Sequence, residues 1–443
     1  MKQRAARVPF LSVARRRAVA RAAALLLTSL ILIAFVALQH AGAQQVVWSK
    51  QFGTSSSEAA TAIALDGQGA VYVVGATCGA LFSANAGRRD VFAIKYNSAG
   101  DVLWDTQFGS DQDDVPYSAA TDAAGNLYVA GITDGSLYSA SAGGDDAFVL
   151  KLSPQGEVLW GRQFGTDEYD FAWGIAVDAQ RSALYVVGET PGDLFGTNPA
   201  SIPTSDLFVV KFDLAGTQLW AHQMGTAHDD IPQSAAADGE GGVYVAGSTL
   251  DLFDSGLGGY DAFVARLTAD GSVTWGRQFG TSVGDMAGAV RTHSAAGVYV
   301  AGAMGEAGEV SGPDAAFVAR YDTTGTQQWL RQLNTSRTND EEEYSGLDTA
   351  CDLAADAQGN VFMVGNTGGN LFGANAGSLD MYLVKYDPQG NQVLGYQFGT
   401  AAEDGATGLA AGAAAIYVVG GTDGSLYGDS AGEEDAFVVK FTP

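Results

Sequence analysis

Seven carboxylates stand at equivalent places along this chain: Glu58, Asp114, Asp170, Asp230, Asp285, Asp348 and Asp404. Gathered round one axis, they could bind Ca2+ or another hard cation through oxygen ligands. Kept apart, each would cap its own loop by accepting backbone N–H bonds. Their presence in every copy favours capping, because a single ion site rarely needs seven copies. Six aromatics recur behind a leucine: Phe82, Tyr138, Phe195, Phe253, Phe372 and Tyr427. Trp173, close behind Asp170 and Phe171, is the exception to every pattern. Such rings could stack on a sugar or grip a peptide; the alternative is that Leu and its neighbour plug the gap between repeats. A third set is basic: Lys95, Lys151, Lys211, Arg266, Arg320, Lys385 and Lys440. Pairing with Asp66, Asp122, Asp178, Asp238 and Asp356 would fix register more than it adds stability.

These residues are positioned by a repeat. The phrase Trp-x-x-Gln-Phe-Gly-Thr begins at Trp48 and returns at Trp104, Trp160, Trp220, Trp275 and Trp329, and once more with Leu394 in the Trp position. Seven copies at intervals of 54 to 65 residues mark a solenoid, propeller or array. The second copy shows the unit. Residues 118–121 form a short strand A, 126–133 strand B, 146–152 strand C and 157–164 strand D, with Gly-containing turns between A and B and between C and D. Strand A is rich in alanine, which suits a crowded inner strand. Strand B is apolar on both faces, and strand C alternates, with Phe148, Leu150 and Leu152 on one face.

The ends decide between ring and open array. The first strand D, 46–53, precedes any A, B or C, and the last strand C has no D after it. The N-terminal strand therefore completes the last blade and closes the ring. The expected fold is all-β: a seven-bladed β-propeller of four-stranded antiparallel blades over residues 44–443.

The phrase, followed by Asp-x-x-Gly-Asn-x-Tyr-Val-x-Gly-x-Thr and Asp-Ala-Phe-Val-x-Lys, resembles the SBBP family of bacterial β-propeller repeats over residues 46–441. The resemblance implies a secreted or surface-exposed propeller and supplies no catalytic residues. Blade 5 departs most, with His293 for the turn Asp, Ala315 for the strand-C Asp and Met304 for Thr; blade 6 carries Leu333 and Asn334 where the phrase has Phe-Gly.

Catalytic groups are sparse. His222, His228 and His293 match no metal spacing, and no Gly-x-Ser-x-Gly elbow, phosphate loop or His-Glu-x-x-His occurs. No cofactor is expected, with Ca2+ the one candidate ion. The enzymatic alternative is a site at the channel mouth: a quinoprotein, because residues 213–220 look like the docking repeats of quinone-cofactor propellers, or a glycan-active enzyme with carboxylates paired across the mouth. The second alternative is a purely structural surface protein.

Residues 1–43 lie outside the repeat. A basic start, an apolar run over 22–38 and Ala41-Gly42-Ala43 read as a secretory signal peptide cleaved after Ala43, with an uncleaved anchor as the alternative. The leader holds seven of the 23 Lys and Arg and no acid, so the mature part carries 16 basic against 50 acidic residues, a formal −34. Such a surface repels nucleic acid and anionic membranes. Cys78 and Cys351 fall in non-adjacent blades and are expected as free, mostly buried thiols. The expectation is a secreted, cell-surface or periplasmic monomer that binds a protein or polysaccharide. The site would lie on the face of the disc that carries the B–C and D–A loops, because the A–B and C–D turns of the other face are short and uniform.

Overall fold

The computed structural model describes residues 45–199, 204–254, 256–293, 297–305, 315–335 and 347–442. The expected signal peptide lies outside them. Val46–Pro443 forms one compact unit. Among the described residues no helix is long and apolar enough to cross a membrane.

The unit is a seven-bladed β-propeller. Each of its seven sheets has four antiparallel strands, and six are built from strands consecutive in sequence. The seventh takes its outer strand from the other end of the chain: Val46–Phe52 pairs with Asp435–Phe441, setting Gln51 opposite Phe437. The N-terminal strand thus closes the ring.

Strand A is innermost and longer than the alanine pattern alone suggests. In blade 2 it runs Asp114–Thr121, with a bulge between Pro116 and Ser118. All seven A strands carry this bulge at the same place. A bulge leaves one residue unpaired and re-aims its side chain. Strand B is buried throughout in six blades, as in Val71–Thr77, and in blade 6 only Asn366 is partly exposed. Strand C is buried on both faces too, not only on its aromatic face; in Asp146–Leu152 only Lys151 is partly exposed. Blades stack on both sides of each sheet, so apolar clusters span neighbouring blades, as where Phe92 and Ile94 pack with Tyr417 and Val419. Strand D forms the outer edge, with Val102 and Leu103 about half exposed.

The repeated phrase is the fastener between blades. Trp104 Nε1 donates to the Pro154 carbonyl in the C–D turn of the next blade (2.8 Å), and its ring packs beneath Gly156, whose φ of +87° only glycine adopts readily. Lys95 Nζ reaches the same carbonyl (3.4 Å). The exception has a cause. Leu394 faces blade 7, where strand C ends at Phe441 and strand D begins at Val46, so no C–D turn offers an indole its acceptor. Gln107 holds the B–C loop: its Oε1 accepts the N–H groups of Leu81, Phe82 and Ser83 (2.9–3.3 Å), while Nε2 donates to Gly79 O and Asp90 Oδ2. Phe52 packs edge-on against Phe92 of the next blade.

Candidate functional site

The seven recurring acids sit at the head of strand A, and all are buried. Each accepts the backbone N–H of the Ser or Thr that ends the phrase: Thr54 to Glu58, Ser110 to Asp114, Thr166 to Asp170, Thr335 to Asp348 and Thr400 to Asp404 at 2.5 Å, Thr281 to Asp285 at 2.6 Å and Thr226 to Asp230 at 2.7 Å. The strand-B Thr adds a hydroxyl, as Thr77 does to Glu58 (2.7 Å). The acids thus stand one per D–A loop, and among the described residues no three His, Cys, Asp or Glu gather as a metal set.

A second row of acids stands beside them. Asp90, Asp146, Asp206, Asp261, Asp380 and Asp435 open strand C, and in each Oδ1 is buried without a hydrogen-bond partner. The phrase glycine lies between the two rows: a Cβ on Gly109 would fall 2.4 Å from Asp90 Oδ1 and 2.9 Å from Asp114 Oδ2. The unpartnered oxygens therefore pack against the glycine backbone, where a Cα–H contact is the available partner. Where strand C opens with Ala315, the phrase carries Asn334, so carboxylate and glycine disappear together. These paired carboxylates lie inside the blade junctions and not across the channel mouth. Burial raises Asp114, Asp170, Asp230 and Asp285 above the usual aspartate range, with a neighbouring carboxylate adding to it.

The B–C loop aromatics point inward. Phe82, Tyr138, Phe195, Phe253, Phe372 and Tyr427 are partly buried against the clusters between blades. Tyr138 fills the space over Gly161, and burial pushes its hydroxyl, like that of Tyr427, well above the usual range.

Trp173 is placed differently. It is the bulge residue of blade 3, lies 4.5 Å from Tyr117 and stacks on Phe171 at 5.2 Å and 8°, and its Nε1 donates to buried Glu189 (3.0 Å). The bulge residues of the seven blades, Thr61, Tyr117, Trp173, Gln233, Gly288, Cys351 and Thr407, all line one axial chamber of about 80 Å3. Sequence reasoning picked out Trp173 and missed the ring. The signal was available, since each stands three residues after the recurring acid and the position varies within an otherwise repetitive strand. The residue directly after the acid differs in all seven blades: Ala59, Val115, Phe171, Ile231, Met286, Thr349 and Gly405. Beyond the bulges, toward the A–B turns, the channel widens to about 350 Å3.

The basic residues pair with turn carboxylates in Lys95–Asp66 (3.5 Å), Lys151–Asp122 (3.8 Å), Arg266–Asp238 (2.8 Å) and Lys385–Asp356 (3.8 Å). Blade 3 differs from expectation. Arg181, in its longer A–B turn, takes Asp178 (3.4 Å), and Lys211 donates to Gly241 O and Ala269 O instead. Both cysteines are free; Cys351 is partly buried, but Cys78 is exposed because it lies just past the end of strand B.

Against this geometry the comparisons are specific about fold. A family model described as a beta-propeller repeat, SBBP, matches residues 219–254. Regulatory protein FlaEY of Caulobacter vibrioides is 27% identical over 158 residues, 32% of this chain and 16% of its own length. An uncharacterized WD repeat-containing protein of Acanthamoeba polyphaga mimivirus is 23% identical over 37% of this chain and 14% of its own. The chain thus spans under a sixth of each of these curated relatives. Among solved structures, the WD40 beta propeller domain of Doa1 covers 90% of this chain and 97% of that one at 10% identity, with a TM-score of 0.51.

Proposed function

We infer a binding role from one premise: this chain is an SBBP-type β-propeller repeat protein. It acts as a rigid, non-catalytic scaffold, secreted or held at the cell surface or in the periplasm, and a partner protein or polysaccharide docks on the face formed by the D–A and B–C loops. The observation that carries this reading is variation on a constant frame. Among the described residues the loops are pinned by an acid or glutamine of their own repeat, while the rim residue beside each acid changes in every blade. Preorganised loops lower the ordering cost of association. The rim is largely apolar, with Met286 exposed and Phe171 and Ile231 half-buried, which favours a protein partner. The basic, apolar leader supports export, and the mature charge of −34 argues against nucleic acid.

The test uses residues 44–443 as bait against envelope and secreted fractions and a glycan array. A partner retained by the parent protein, lost with I231D and M286D, and kept with Q68K in an exposed A–B turn supports the reading. Binding indifferent to the loop-face substitutions refutes it, and a glycan signal with the same mutational pattern identifies a polysaccharide.

A further inference from the structure

The wider axial chamber lies away from the loop face, toward the A–B turns. Its walls are the second halves of the seven A strands, and six of them present alanine at one level: Ala64, Ala120, Ala176, Ala236, Ala354 and Ala410. Blade 5 has Arg291 there. Its guanidinium donates to Asp352 of blade 6 (2.6 Å) and approaches Ser234 Oγ (3.3 Å). Asp352 in turn accepts the backbone N–H groups of Leu353 (2.7 Å) and Leu409 (2.8 Å). Capping the next blade does not require a charge. Ser118 accepts Ile175 N–H and Ser234 accepts Val290 N–H from the same strand position, at 3.3 and 3.2 Å. A serine at 352 and an alanine at 291 would therefore serve the fold, without the desolvation that a charge pair in the channel incurs.

We propose that the axial chamber binds one uncharged sugar or polyol unit entering from the A–B turn face, with Arg291, which lines both chambers, as its polar end and Asp352 just beyond it on the wall of the narrower chamber. At about 350 Å3 the chamber lies within the range of small-ligand pockets. Where the wide chamber meets the narrow one, the pair offers guanidinium N–H donors beside carboxylate acceptor sites, which matches the donor–acceptor character of adjacent hydroxyls. Ile63 and Leu353 supply apolar wall for ring C–H groups. An anion would meet Asp352 inside a strongly acidic molecule, and a cation would meet Arg291, so an uncharged ligand fits best. Past Arg291 the channel narrows to the 80 Å3 chamber beside Tyr117 and Trp173, which sets the depth of entry.

Saturation-transfer NMR on residues 44–443 with a panel of monosaccharides and linear polyols tests this. The expected result is transfer from at least one of them. R291A combined with D352S, the residues other blades use, should weaken binding at least tenfold with the melting temperature retained. A236L, which fills the chamber from blade 4 and leaves the ion pair alone, should abolish transfer. No transfer from any member of the panel, or transfer that survives A236L in a folded protein, overturns the proposal. Neither outcome bears on the loop-face partner, which is probed by I231D and M286D.

Discussion

Asp114 and Asp122 stand at opposite ends of the inner strand of blade 2, and both are buried. Burial pushes both toward the neutral form, yet Asp114 ends above the ordinary aspartate range and Asp122 below it. Depth and neighbours together explain the difference. Asp122 accepts Ala124 N–H, Asn126 N–H, the Asn126 amide and the Tyr128 hydroxyl, all within 3.0 Å, and Lys151 Nζ lies 3.8 Å away. Asp114 accepts Ser110 N–H and the Thr133 and Ser110 hydroxyls, and the Asp90 carboxylate across Gly109 adds its repulsion. The aspartate ringed by donors on the turn face is held ionised, and the more deeply buried one on the loop face is pressed toward protonation. Deeper burial, with a neighbouring carboxylate adding to it, outweighs the donors at Asp114, whereas the donors around Asp122 outweigh its shallower burial.

The sharpest way to break this comparison is to remove each acid in turn. D122A strips four hydrogen bonds and leaves Lys151 without its carboxylate, and should cost about 3–4 kcal/mol. D114N keeps an acceptor for Ser110 and removes a repulsion, and should cost only about 1 kcal/mol. Equal losses in denaturant melts would contradict the difference in donors and charge between the two sites.

Next in size is the glycine between the paired carboxylates. G109A places a methyl 2.4 Å from Asp90 Oδ1 and should cost about 2–3 kcal/mol through overpacking. The junction that follows blade 5 already shows the compensated form, Ala315 with Asn334. D90A, which by itself removes the acceptor of Gln107 Nε2 and Ala86 N–H, should therefore cost less in G109A than in the parent, with a coupling of about 1–2 kcal/mol in a double-mutant cycle. Strictly additive losses would separate the glycine from the carboxylate.

The pH profile tests the two faces together. Asp114, Asp170, Asp230 and Asp285 have folded values above their unfolded ones, so their contribution is complete below the ordinary aspartate value and is lost as pH rises through the folded values. Asp122 and Asp238 have depressed folded values, so theirs is present above the ordinary value and lost as pH falls. The melting temperature should be highest near about pH 4 and decline toward neutrality as well as toward stronger acid. A melting temperature that climbs steadily from mild acid to neutral pH contradicts the assignment of the loop-face acids.

Much of this frame was legible in the sequence because repetition separates frame from variation. The blade count, the closing strand and the inner position of strand A follow from the phrase and from where the first strand D falls. What each phrase residue does was not legible. Trp104 bonds a carbonyl in another blade, and Leu394 makes sense only once blade 7 is seen to lack its C–D turn. The start of strand A was hidden because its first half is not alanine-rich, and the bulge that aims Trp173 at the axis leaves no mark in composition. Local competition was hidden too: Arg181 draws Asp178 away from Lys211, and a one-residue step past strand B exposes Cys78. Repetition reports what the fold needs, and the positions where it fails, such as 173, 291 and 352, are where a ligand has to be sought.

The smallest expected effect concerns the ion that the recurring acids suggest. A ligand that binds only the folded state raises the melting temperature in proportion to its affinity and concentration. The seven loop-face acids lie one to a loop, and each already accepts a phrase N–H at 2.5–2.7 Å. Calcium needs six to eight oxygens within one shell, and a carboxylate pair split by a glycine offers far fewer. Residues 44–443 should therefore melt alike in EDTA, millimolar Ca2+ and millimolar Mg2+. A rise specific to Ca2+ would mean that the carboxylates leave their loops to meet an ion, and D404N, which keeps an acceptor for Thr400 but removes the charge, would then abolish the rise.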